Sequence, residues 1–120
     1  MTLVERDRRT AATVRANAEA VGCRAARVVT ASVSTVLAGA VLDGPYDVAF
    51  ADPPYATAGD RVAGDLRALV DGGWLAPGAV VVVERPTRGG PVAWPEGLVE
   101  ERVRTYGETA LWSARAARRD

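Results

Sequence analysis

The 120-residue chain contains no histidine and no lysine, a single cysteine (Cys23), one methionine and one phenylalanine. Without histidine, and with one thiol, a zinc site of the usual nitrogen and sulfur ligands has nothing to be built from. Cys23 alone rules out an internal disulfide, which fits a reducing compartment and sets the expectation of a cytoplasmic protein. No apolar run reaches the roughly 18 residues of a membrane span, and no signal-peptide pattern is present, so the expectation is a soluble protein that is not exported. Nor is there an excess of either charge: fifteen acids balance fifteen bases, and no global field announces a nucleic-acid partner. Every base is arginine, which together with the alanine, valine and glycine content reads as coding bias, although arginine also suits bidentate phosphate contacts.

What remains is the composition of a packed domain. Hydrophobic residues make up 48% and charged residues 25%, enough for a core and too apolar for disorder. The length allows one domain, taken as residues 1–120, with no internal repeat or linker.

The chain is organised around Tyr46-Asp47-Val48-Ala49-Phe50-Ala51-Asp52-Pro53-Pro54-Tyr55. Its apolar, β-forming half predicts a parallel strand buried on both faces. Pro53 and Pro54 cannot donate to a ladder, so the strand must stop there, presenting Asp52 and Tyr55 at its carboxyl end. In open α/β sheets ligands bind at that edge. Asp52 and the carbonyl of Pro53 can each accept a hydrogen bond from an exocyclic amine, and Tyr55 offers a face on which an extruded base can stack. The bland alternative is a proline-terminated strand with an acid cap and a packing tyrosine.

Around this centre the pattern alternates. Thr2–Glu5 reads as a strand, followed by a helix that Asp7 caps, with Ala11, Val14, Ala18 and Val21 on its inner side and Gly22 at its end. A strand over Ala26–Thr30 leads to a short helix capped by Ser32 or Ser34, and Asp43-Gly44-Pro45 turns into the central strand. A helix over about Asp60–Val70 buries Val62, Leu66, Leu69 and Val70. Pro77-Gly78 predicts a turn, Ala79–Val83 a second buried strand closed by Glu84-Arg85-Pro86, and 87–97 a loop. Two antiparallel strands, Leu98–Thr105 and Thr109–Arg115, flank Tyr106-Gly107-Glu108. Alternation ending in a hairpin indicates an α/β, Rossmann-like sheet, mostly parallel with an antiparallel C-terminal edge.

Leu3-Val4-Glu5, Asn17, Asp52-Pro53-Pro54-Tyr55, Gly73-Trp74-Leu75, Glu84 and Tyr106-Gly107-Glu108-Thr109 together resemble the RsmD-type 16S rRNA guanine methyltransferases, of the class I fold, over essentially the whole chain. The resemblance implies an S-adenosyl-L-methionine cofactor and a 16S rRNA or small-subunit partner. It implies that Glu5 binds the cofactor's ribose, that Ser32 and Val33 flank its adenine, and that Asp52, Pro53 and Tyr55 hold the guanine, with Asp52 also counted among the cofactor residues. Glu84 receives no catalytic role, and Arg85 and Arg88 are candidate phosphate contacts. The family's glycine-rich Asp-x-x-Ala-Gly-Ser-Gly loop and the strand before it have no counterpart in the sequence. The expectation is an N-terminally truncated member, a start assigned within a longer gene being one route to it. The absent strand belongs between those ending at Glu5 and Asp52. Three alternatives stand beside this reading: an amino-methyltransferase acting on adenine or cytosine of DNA or RNA, a silent fold remnant that only binds, and a protein-glutamine methylase, whose motif usually opens with asparagine where this chain has Asp52.

Overall fold

Among the described residues, six strands and three helices follow the order the sequence predicts. The computed structural model describes residues 2–5, 7–22, 27–41, 44–52 and 59–117. In chain order these form β1 (Thr2–Glu5), α1 (Arg8–Ala20), β2 (Arg27–Thr30), α2 (Val33–Ala38), β3 (Tyr46–Ala51), α3 (Gly59–Asp71), β4 (Leu75–Pro86), a single 3-10 turn at Thr87–Gly89, β5 (Leu98–Tyr106) and β6 (Thr109–Ala116). The helices begin where short polar side chains satisfy free amides. Asp7 Oδ1 accepts from the N–H groups of Arg9 and Thr10 at 2.8 and 3.0 Å, and Ser32 Oγ accepts from Thr35 N–H at 3.2 Å. Replacing Asp7 by alanine is therefore expected to cost about 1 kcal/mol in urea unfolding, and an unchanged midpoint would count against the cap.

The strands form two sheets. β1 and β2 pair in parallel; β3, β4, β6 and β5 form a second sheet in that order, with β3 parallel to β4 and the others antiparallel. The edges of β1 and β3 thus each end a sheet. Thr2 Oγ1 and Tyr46 Oη meet at 2.5 Å, so the amino ends of both strands lie at the same end of the molecule. Between them is a slot where the resemblance puts the family's first strand.

One face of the larger sheet is closed and the other is open. Val62 and Leu66 of α3 pack with Val81 and Val83 of β4, Leu98 of β5 and Ala114 of β6, with Ala49 and Ala51 of β3 against them. On the opposite face, Val48 and Phe50 are 63% and 62% exposed. This corrects the expectation of a strand buried on both faces: α3 covers one face of the sheet, and no described residues pack on the other. The alanines that alternate with Val48 and Phe50 do face α3, as the strand period requires.

Two further expectations shift. Pro77-Gly78 does not turn the chain out of the sheet but lies inside β4, as a bulge: two steps on β3, from Tyr46 to Val48, span five on β4, from Leu75 to Val80. Gly78 takes a φ of +76°, and its carbonyl accepts from Arg115 Nη1 at 3.1 Å. Val21, expected on the inner side of α1, is 79% exposed just past the helix end. Ala26, placed in the second strand from sequence, lies outside the described residues, as do Cys23 and Asp43.

Gly97, at φ +101°, sits against α3, where an added Cβ would come 2.9 Å from Val70 Cγ1. Substitution by alanine incurs both backbone strain and a clash, so Gly97→Ala is expected to destabilise by about 1–3 kcal/mol. Chemical denaturation would read this directly, and a loss no larger than that at an exposed loop glycine would refute it.

Candidate active site at the strand ends

In parallel neighbours, side chains at matched register positions stand on the same face, so the register of β3 and β4 fixes what meets at their carboxyl ends. Val48 pairs with Val80, and the match runs unbroken to Ala51 and Val83. Asp52 and Glu84 are the next residues of the two strands, which sets their carboxyls side by side at matched positions. Hydrogen bonding with Asp52 when one of the two is protonated, together with desolvation and the charge of Asp52, raises the Glu84 carboxyl above its ordinary value of 4.5. A raised folded-state value implies stability that is present below glutamate's unfolded range and is lost as pH rises through the raised value. The pair therefore opposes folding once both groups are charged, as functional sites often do.

On the far side of the slot, Glu5 ends β1 in register with Thr30 of β2, and Ala31 N–H donates to the Glu5 carbonyl at 3.1 Å. Glu5 Oε1 accepts from Asp7 N–H at 3.1 Å, which fixes the carboxyl at the mouth of α1. A carboxylate at the end of a parallel strand is the group that accepts from ribose hydroxyls in dinucleotide folds, so this acceptor suits the adenosine half of a nucleoside cofactor. Ser32 Oγ is occupied as the cap of α2 and lies 2.7 Å from Thr35 Oγ1, which leaves its backbone and the exposed Val33 as the parts turned outward.

The structure thus brings Glu5, Ser32 and Val33 together on one side of the slot and Asp52 and Glu84 on the other. Pro53 and Tyr55, the remaining sequence-derived site residues, lie outside the described residues. The sequence alone gives Glu84 no part in the site. Its signal is two aligned quintets, Val48-Ala49-Phe50-Ala51-Asp52 and Val80-Val81-Val82-Val83-Glu84, each an apolar strand ending in an acid. Of the two arginines beyond β4, Arg85 is buried, near Val62, Gly89 and Val92, and only Arg88 is exposed. That corrects the pairing of both as phosphate contacts. Trp74 is buried, donating to the Leu37 carbonyl at 3.3 Å and stacking on Tyr46, and Trp94 donates to Glu100, so both serve packing. Among the described residues no three acidic, cysteine or histidine side chains converge to hold a metal, and no helix is long and apolar enough to cross a membrane.

Known proteins give this arrangement a context. The family model described as conserved hypothetical protein 95 matches residues 1–115. Among solved structures, the candidate methyltransferase yhhF of Escherichia coli is 26% identical with a TM-score of 0.86, the overlap covering 98% of this chain and 64% of that one. A candidate methylase from Haemophilus influenzae, 24% identical, shares the fold with a TM-score of 0.81 over 97% of this chain and 71% of its own. The rRNA methyltransferase aviRa from Streptomyces viridochromogenes is 30% identical with a TM-score of 0.54, over 77% of this chain and 39% of that one. No curated protein sequence matches. The chain therefore spans about two thirds of the length of the solved structures it most fully overlays.

Proposed function

The chain belongs to the RsmD-type methyltransferase family, and from that premise we propose that it is the greater part of a cytoplasmic S-adenosyl-L-methionine-dependent enzyme that methylates the exocyclic amine of a guanine in 16S rRNA. The observation that carries this reading is the placement of Asp52 beside Glu84 at the carboxyl ends of parallel strands, on the edge of the slot. Asp52, with the Pro53 carbonyl, accepts the hydrogens of the target amine, and Tyr55 stacks on the splayed base. Glu5 holds the ribose hydroxyls, and Ser32 and Val33 border the adenine. The cofactor, when bound, supplies a methyl group activated on a sulfonium. The protein's part is alignment, which in well-oriented reactions lowers barriers by several kcal/mol. The rRNA methyltransferase aviRa, sharing the fold, supports an RNA substrate.

The reading has a direct consequence for binding. Glu5 and Asp52 flank a slot with no strand among the described residues to carry the cofactor's methionine end. The chain alone is expected to show no micromolar affinity for S-adenosylmethionine by isothermal titration. Joined to the portion of yhhF outside the shared region, it is expected to gain it; micromolar binding by the chain alone would contradict the split site. The open slot also favours a second reading, a fold that binds without catalysis. Methyl incorporation into small-subunit RNA by the joined protein separates the two, since the second reading allows none.

A further inference from the structure

The reaction proposed above leaves a proton without an owner. An exocyclic amine that gains a methyl group forms a C–N bond as the donor's C–S bond breaks, the electron pair staying on sulfur. Nitrogen then carries one hydrogen too many, and its N–H bond must break with the pair returning to nitrogen. We infer that Asp52 and Glu84 work as one carboxyl pair that receives this proton, Asp52 meeting the amine and Glu84 acting through Asp52 as the positioning residue. The inference rests on the methyltransferase reading and deepens it.

Geometry makes the pair. Strand neighbours stand about 4.8 Å apart, and the unbroken register from Val48 and Val80 carries Asp52 and Glu84 to matched positions. Once one carboxyl takes up a proton it can donate to the other, which while ionised only accepts, so the pair keeps that proton between its members. Charged groups elsewhere around Glu84 do not dissolve the pairing. Its register partner in β6 is Leu111, which is uncharged, and beyond it in β5 lies Arg104, two strands away at about 10 Å. Arg85 alternates to the opposite face and is buried there, and Arg61 and Asp65 belong to α3, which packs that same opposite face. Arg88 is exposed in the turn after β4.

A lone surface carboxylate is a weak base for an amine's proton. Two that must share a site hold one proton more firmly than either would alone, because protonation relieves their repulsion. This gives the site a proton acceptor without histidine, which the chain lacks.

Carbon-detected NMR titration of the labelled chain tests the pairing independently of turnover. The Glu84 carboxyl is expected to titrate above the usual glutamate range, and Asp52→Ala to return it to that range. An ordinary Glu84 titration in the unaltered chain overturns the proposal. The role is read in the joined protein from the pH dependence of methyl transfer. Glu84→Gln, which keeps size and hydrogen bonding, is expected to lower kcat about tenfold, to move the acid limb to lower pH and to leave the KM for S-adenosylmethionine unchanged. An unmoved limb with unchanged kcat overturns it, whatever the titration shows. Absence of any transfer by the unaltered joined protein defeats the methyltransferase reading itself, and this inference with it; a shifted Glu84 titration beside that result would mark the pairing as structural.

Discussion

Replacing Asp52 by alanine is expected to reduce methyl transfer by about 10² to 10³, or about 3–4 kcal/mol of transition-state stabilisation, while S-adenosylmethionine affinity stays largely intact. The amine sets the requirement. Its lone pair is drawn into the base, so an acceptor must hold its hydrogens while the nitrogen faces the methyl group. Asp52, at the carboxyl end of β3 and beside Glu84, is the acceptor the fold offers among the described residues. Adenosine contacts fall instead to β1 and β2, across the slot, where Glu5, Ser32 and Val33 lie. A single-turnover assay on the joined protein, paired with calorimetry, separates the two effects. Retained transfer would remove Asp52 from the reaction, and lost binding would move it to the cofactor.

The largest stability effect is expected at Leu66. This residue of α3 is 1% exposed and packs at the centre of the cluster formed with Val62, Val81, Val83, Leu98 and Ala114. Truncation to alanine removes buried methyl groups and leaves a cavity that β-branched neighbours on a hydrogen-bonded sheet cannot readily fill. By the usual range for buried leucines the cost is about 3–5 kcal/mol. Against a total stability of about 5–15 kcal/mol, and with one sheet face already open, that is enough to unfold much of the population. Urea denaturation of Leu66→Ala beside Phe50→Ala makes the comparison sharp. Phe50 is a larger side chain, yet it is exposed here, so it is expected to lose far less. Equal losses would mean that the open face is covered in solution.

That contrast also locates what the sequence could and could not reveal. The Asp7 cap, the inner face of α3 and the hairpin around Tyr106-Gly107-Glu108 were legible because capping, helical spacing and alternation are local signals. The run Val48–Ala51 was legible as a strand, but its burial was not. An apolar run says that both faces can be covered, whereas no described residues cover Phe50 and Val48. The Pro77-Gly78 bulge escaped because proline and glycine carry the same local signal in a turn and in a bulged strand. Glu84 escaped for a different reason. Its meaning comes from the register of strands that lie 32 residues apart in the chain (84 minus 52), which only the folded sheet fixes.

The most direct test of the account is mass-spectrometric nucleoside analysis of small-subunit RNA treated with the joined protein and S-adenosylmethionine. N2-methylguanosine is the expected product, abolished by Asp52→Ala. A methylated adenosine or cytidine in its place, or no methylated nucleoside at all, would contradict it.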